Sequence, residues 1–268
     1  MENLSDNVSP LISIITVSFN AVAEIENTIL SVLSQSYHNI EYIVVDGGST
    51  DGTVDIIEKY ADKISYWLSE PDKGIYDAMN KGIDIATGKW INFMNSGDVF
   101  FDNQVLEQFV QSLPHTQYDI CYGDTALRYK AGLIRSDASS IEMINKRLPF
   151  CHQSSFVLTD LLKKRKYNLD YRICADYDFF YNEYISGKRF CHINLLVTIY
   201  EAESGLSVKQ ALKSLKEMAI INGRIIKFQW KLEYLLYFLR LRFYPLVKSI
   251  IPNKLLAIRR NSKYKFIK

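Results

Sequence analysis

Four short apolar runs constrain this chain most. LISIITVSF, IEYIVVD, ISYWLSE and KWINFMN recur through the first hundred residues, and each is separated from the next by a stretch with helical spacing. β-Branched runs of this length suit strands buried on both faces of a sheet. Between them, AEIENTILSVLSQ places Ile25, Ile29, Val32 and Leu33 on one helical face. The helix after GGSTDG turns Val54, Ile57 and Ala61 inward, and KGIYDAMNKGIDIA supplies a third helix. The βαβαβαβ order predicts right-handed crossovers and an open α/β sheet, mostly parallel and flanked by helices. Ligands of such sheets bind beyond the carboxyl ends of the strands. Ser18, Asn20, Asp46, Glu70, Asp72 and Asp98 end these strands and are expected to line one crevice.

Beyond residue 118 the pattern loosens. YDICYGDTALRY reads as strands around a turn, CHQSSFVLT as a strand and TDLLKKRKY as a short helix. CADYDFFYNEYISG reads as a helix closed by Gly187, and KRFCHINLLVTIYEA as a long strand or hairpin arm. Residues 207–268 are mainly helical in pattern. No internal repeat or low-complexity linker interrupts the chain, so a boundary near residue 205 rests on a shift in composition.

That shift is one of charge. Residues 209–268 hold 15 Lys/Arg and 2 Glu, a net of +13, while residues 1–208 hold 17 Lys/Arg and 28 Asp/Glu, a net of −11. An acidic body with a basic tail points to contact with an anionic surface. The tail interleaves its cations with Trp230, Tyr234, Tyr237, Phe238, Phe243 and Tyr244, the pattern of an interfacial amphipathic helix. A solvated helical cap is the plainer reading, and nucleic acid is disfavoured because no nucleic-acid module accompanies the charge. LEYLLYFLRLRFYPLVKSII is too interrupted by charge for a transmembrane span. Cys121, Cys151, Cys174 and Cys191 form no CxxC pair and no zinc-ligand spacing. With a polar opening, MENLSDNVSP, they fit reduced thiols in a cytoplasmic protein.

Two phosphate-loop readings fail on spacing. GGSTDG is not GxGxxG, and GIDIATGKW has five residues between its glycines and Trp90 where Ser or Thr belongs. In VVDGGSTDGT, Asp46 closes a buried strand and can accept hydrogen bonds from a base or ribose, whereas Ser49, Asp51 and Thr53 read as helix-capping residues. In SEPDKGIYDAMNKGI, Asp72 and Lys73 flank the crevice beside Gly74, an arrangement suited to ribose hydroxyls ahead of a helix start. Asp77 and Asn80 stand three apart on that helix; Asn80 also reads as a packing amide and Lys73 as a solvated charge. FMNSGDVF leaves Asp98 alone past its strand, beside Asn95, Ser96 and Gly97.

These segments, together with HQSSF, resemble the family-two inverting glycosyltransferases of the GT-A fold, in the branch that assembles bacterial surface polysaccharides. The resemblance covers roughly residues 10–205, with several motifs agreeing in order. It implies a nucleotide-diphosphate-sugar domain over 11–205, with a nucleotide-binding half (11–100), an acceptor half (101–205), a loose arm at 1–10 and a basic helical extension at 206–268. It places Thr16, Ser18, Asn20 and Glu24 near the nucleotide, Asp46 at the base, Asp72, Lys73 and Gly74 on the nucleoside side, and Asp77 and Asn80 near the sugar or diphosphate. NSGD falls where many relatives carry a DxDD-like string. Only Asp98 remains there, with Ser96 beside it, which implies a divalent metal, Mn or Mg, delivered with the nucleotide.

Proton removal from an acceptor hydroxyl needs a base. Asp176 of RICADYDFF matches the family's position for it, with Ala175 where Glu is commoner; the alternative is a helix cap, and Asp178 reads as structural or acceptor-facing. His152 is divided between a contact to donor, metal or acceptor and a core role; His192 reads as structural, and His38 and His115 as loop residues. EAESGLS resembles a closing loop, with Glu201 an additional metal candidate. The expected activity is transfer of a sugar, from UDP by preference, to a glycan or lipid-linked acceptor at the inner face of the cell membrane. A nucleotide-sugar-binding accessory subunit is the alternative. A nucleotidyltransferase is disfavoured because SFNAVAEIEN lacks a glycine-rich basic loop.

Overall fold

The computed structural model describes residues 9–113, 117–129, 132–201 and 210–250, with side chains to residue 243 in the last segment. The predicted order of the first hundred residues holds. β1 (Ile12–Ser18) pairs in parallel with β2 (Ile40–Asp46) and β4 (Trp90–Phe93), and β2 pairs in parallel with β3 (Tyr66–Ser69). Period-two alternation explains why both sheet faces are covered. Ile12 and Ile14 pack with Ile25, Ile29 and Val32 of α1 (Ile25–Leu33) and Ile57 of α2 (Thr53–Lys59). Ile15 and Val17 pack on the other side with Met79 and Ile83 of α3 (Ile75–Ile85).

The second half is mixed. β5 (Val99–Phe100) and α4 (Val105–Ser112) lead to the long β6 (Ile120–Tyr129), followed by β7 (Gly132–Ser136), β8 (Ser155–Leu158), α5 (Thr159–Lys164), α6 (Ala175–Ile185) and β9 (Phe190–Glu201). Among the described residues the sheet has nine strands in the order β3-β2-β1-β4-β8-β6-β9-β5, with β7 on β6. β8 runs antiparallel to both β4 and β6, while β6 and β9 are parallel.

YDICYGDTALRY is therefore one strand and not two around a turn. From Tyr122 to Thr125 β6 advances three residues while its partners on β9 advance six, from His192 to Thr198, so the extra residues bulge from β9 opposite Gly123 and Asp124. Gly123 is required because a Cβ there would lie 2.4 Å from the Leu195 carbonyl oxygen. CHQSSFVLT likewise opens with a 3-10 turn, His152–Ser154, before β8 begins.

At the C-terminal side, α7 (Ala211–Ile221) packs against α6 and α8 (Phe228–Ile250) packs against α7. Among the described residues no helix is long and apolar enough to cross a membrane. All four cysteines are free thiols. EAESGLS beyond Glu201, His115 and the tail past residue 250 lie outside the described residues.

Candidate active site

The carboxyl ends of β1, β2 and β3 form a hydrogen-bonded floor around Asp46. This carboxylate is fully buried. It accepts five hydrogen bonds, from the Ser18, Ser49 and Ser69 hydroxyls and the Gly48 and Ser49 amides. Burial alone would raise its pKa, but the donors outweigh burial and hold it below the ordinary carboxylate value. Asp46 thus organises the turn that any nucleoside would meet. Asn20, in the left-handed region at φ 48°, ties the first loop to this turn: its amide NH donates to Ser49 Oγ and its Oδ1 accepts from the Thr50 amide. Ser49, Asp51 and Thr53 read as caps of α2 in the sequence, but its N-cap is Gly52 with no side-chain cap. The three side chains instead accept from the Asn20, Val22 and Ala21 amides and tie the first loop to this turn. Thr16 is internal, donating to the Met94 carbonyl and paired with the Tyr42 hydroxyl.

Asp72 reaches this floor through a gap left by a glycine. A Cβ on Gly47 would stand 2.5 Å from Asp72 Oδ2, so the absent side chain makes room for the Asp72 carboxylate. Its Oδ1 accepts from the Gly74 amide at 2.7 Å. Asp77, in the first turn of α3, accepts from the Lys73 amide and ties the preceding turn to the helix. The structure takes Asn80 out of the crevice. Its amide is spent on the backbone NH and carbonyl of Tyr167, the packing role.

The adjoining cavity has a volume of about 540 Å³. Asn95, Ser96, Gly97 and Asp98 line one wall, Glu24 and Glu201 sit at its margin, and Cys151, His152, Gln153 and Asp176 line the rest. Asp98 is buried, and desolvation pushes its pKa up to about 7, against the opposing hydrogen bond from Gln153 Nε2 at 2.8 Å. Asp176 sits in the first turn of α6, where the helix dipole favours a carboxylate. Its Oδ1 accepts from the Tyr177 amide at 2.8 Å and lies 3.0 Å from the Tyr76 hydroxyl. His152 Nδ1 is 3.7 Å from Asp176 Oδ2, and burial lowers the imidazole pKa against the opposing pull of the Asp176 charge. Asp178 turns away onto Asn182, and His192 meets Asp124 in a structural contact at 3.0 Å.

Among the described residues no group of three or more His, Cys, Asp or Glu side chains could hold a metal by itself. The oxygens present nonetheless fit a hard divalent cation that arrives with its other ligands. Among the described residues Asp98 is a buried carboxylate without a cationic partner, and the buried Asn95 Oδ1 and Ser96 Oγ beside it have no hydrogen-bond partner.

Three residues of this site were not identified from sequence. Gln153 holds Asp98, and is itself fixed because Asn92 donates to its carbonyl at 2.9 Å. Tyr76 reaches Asp176 from α3. Glu217 of α7 accepts from the Ile173 and Cys174 amides, both at 3.0 Å, at the start of α6. The HQ pair was the available signal for Gln153; nothing local marks the other two.

The family model for glycosyl transferase family 2 matches residues 13–182. A PGL/p-HBAD biosynthesis glycosyltransferase of Mycobacterium bovis is 32% identical over 231 residues, covering 81% of this chain and 89% of its own. The crystal structure of S. aureus TarS 1-349 in complex with UDP-GlcNAc superposes with a TM-score of 0.64 at 19% identity, over 87% of this chain and 72% of that one. The chain spans 43% of a longer TarS chain. A mannosyltransferase from Pyrobaculum calidifontis in complex with GDP-Man and Mn²⁺ gives a TM-score of 0.61 at 16% identity, over 77% and 61%. The two structures share the fold. The family match and the curated relative, falling on the same strands and turns that build this crevice, establish that the chain is a glycosyltransferase and belongs to glycosyl transferase family 2.

Proposed function

We propose that the chain transfers a sugar from a nucleotide-diphosphate donor, UDP by preference, to an acceptor hydroxyl with inversion at the anomeric carbon. One observation carries the reading: a single cavity places Asp98 on one wall and Asp176 on another. The nucleoside lies over the Asp46–Asp72 floor, and the sugar diphosphate extends into the cavity past Ser96. Asp98 and Asn95 would hold a divalent cation, which neutralises charge on the diphosphate as it departs. Asp176 accepts the proton of the acceptor hydroxyl while that oxygen bonds to the anomeric carbon and the bond to the diphosphate breaks. Tyr76 and the Tyr177 amide fix Asp176 beside His152. The names of the relatives and the resemblance to surface-polysaccharide enzymes support an acceptor that is a glycan or lipid-linked glycan, met at the cytoplasmic face of an anionic membrane by residues 206–268.

The test is donor binding and hydrolysis by the purified chain over UDP-, GDP- and dTDP-sugars with Mn²⁺ or Mg²⁺. One donor is expected to be hydrolysed slowly, with loss on chelation and in Asp98→Asn, while Asp176→Asn keeps donor binding and loses turnover. Binding indifferent to both metal and Asp98 would overturn the metal-assisted site, and binding of no donor would overturn the reading as a whole.

A further inference from the structure

Six exposed apolar residues of the described part of α8 form a stripe along one side, while Phe238 and Leu241 are exposed outside that stripe. Trp230, Tyr234 and Tyr237 face α7 across a small cavity that also takes in Lys146 and Arg224, with Arg224 paired to Glu233 at 2.7 Å. Phe228, Leu232, Leu235, Leu236, Leu239 and Phe243 fall at i, i+4, i+7, i+8, i+11 and i+15, one stripe of a 3.6-residue helix. All six are exposed; Phe228 is 79% and Leu236 58% exposed. At 100° per residue the stripe lies nearly opposite the Trp230–Tyr234–Tyr237 side. Lys231 and Arg242 flank it on one edge and Arg240 on the other, all exposed.

We infer that α8 lies flat on an anionic lipid surface, with the Phe228–Phe243 stripe among the acyl chains and Lys231, Arg240 and Arg242 at the phosphates. This rests on the membrane placement proposed above and assigns it to one face of one helix. Charge complementarity selects the occupant. The segment from residue 209 onward carries a net of +13, so burying the stripe against a second copy would press two strongly cationic segments together, whereas anionic headgroups neutralise them. The apolar stripe then supplies the affinity that charge alone would lose to salt. α8 is anchored to α7, which contributes Ser214 and Met218 to the wall of the catalytic cavity. Docking therefore holds that cavity one helix layer from the lipid surface.

The experiment is co-sedimentation of the full chain with vesicles of phosphatidylcholine, alone or mixed with phosphatidylglycerol. The unaltered chain is expected in the pellet only with the mixed vesicles. Leu235→Glu with Leu239→Glu should weaken binding by about tenfold or more, since both sites are exposed and each loses its apolar burial. Lys231→Glu with Arg242→Glu should erase the preference for anionic vesicles. Donor hydrolysis without vesicles reports separately on the glycosyltransferase reading and should be unchanged in both variants. Undiminished binding by the leucine variant would show that tail charge alone suffices and would overturn the stripe. A dimer in solution that the leucine variant splits, with no lipid binding, would overturn it in favour of a second copy.

Discussion

Asp98 shows how the burial of a single carboxylate makes stability depend on pH. Its folded pKa of about 7 lies above the unfolded carboxylate value of about 3.9. Below the unfolded value both states hold the proton and the burial is tolerated. As pH rises towards 7 the unfolded chain ionises first, so stability falls, by up to about 4 kcal/mol for a three-unit shift. Asp98→Asn is expected to be inactive yet more stable than the parent at about pH 8, with the difference vanishing near pH 4 in thermal unfolding scans. A variant no more stable at high pH would mean that Asp98 is not held as an uncompensated charge. Gly47→Ala tests the donor floor in the same way. Its Cβ would meet Asp72 Oδ2 at 2.5 Å and displace that carboxylate, so nucleotide affinity should fall about tenfold with little change in Tm. The positions of Asp46, Asp98 and Asp176 were legible because each stands in a local motif at a strand end or helix start. Gln153 and Tyr76 were not, because each works on a residue 55 or 100 positions away, and only the folded chain brings them together.

At the scale of elements, the difference in legibility has a physical cause. The first four strands read clearly because β-branched runs buried on both faces carry their own signal. β6 misled because Gly123-Asp124 has the composition of a turn, yet the strand runs on through it and the extra residues of the bulge lie opposite, in β9. The glycine there serves close approach rather than reversal, and the buried Asp124 beside it is held by Arg135, His192 and the Ala138 amide. Gly123→Ala is therefore expected to cost about 2 kcal/mol or more, because the obstructing atom, Leu195 O, is backbone and cannot rotate away. Chemical denaturation would measure it; a neutral result would mean that β6 and β9 can part without loss. The same bulge bends β6 and β9 together, and β9 runs on to place Tyr200 and Glu201 at the catalytic cavity.

At the scale of the whole molecule, the change of charge along the chain and the limits of the working unit do not coincide. Net charge turns positive from about residue 209, yet α7, which begins at Ala211, packs against α6 and lines the cavity that holds Asp98 and Asp176. Glu217 receives the Ile173 and Cys174 amides just ahead of Asp176, Cys174 Sγ lies 3.2 Å from Ser214 Oγ, and Met218 lines the cavity. Removing α7 would strip the Ile173 and Cys174 amides of their acceptor, uncover the apolar surface packed beneath it and release the turn ahead of Asp176. A chain ending at residue 205 should thus unfold at markedly lower temperature than one ending at residue 223, which keeps Glu217 and omits α8. The longer truncation should retain donor hydrolysis and lose only adhesion to anionic vesicles. Glu217→Gln in the full chain isolates the cause, since an amide oxygen still accepts from both NH groups but brings no negative charge to the start of α6. It is expected to fold with a small loss of Tm, whereas Glu217→Ala should reproduce much of the shorter truncation's defect. Equal stability of the two truncations would place the working boundary back at the charge shift.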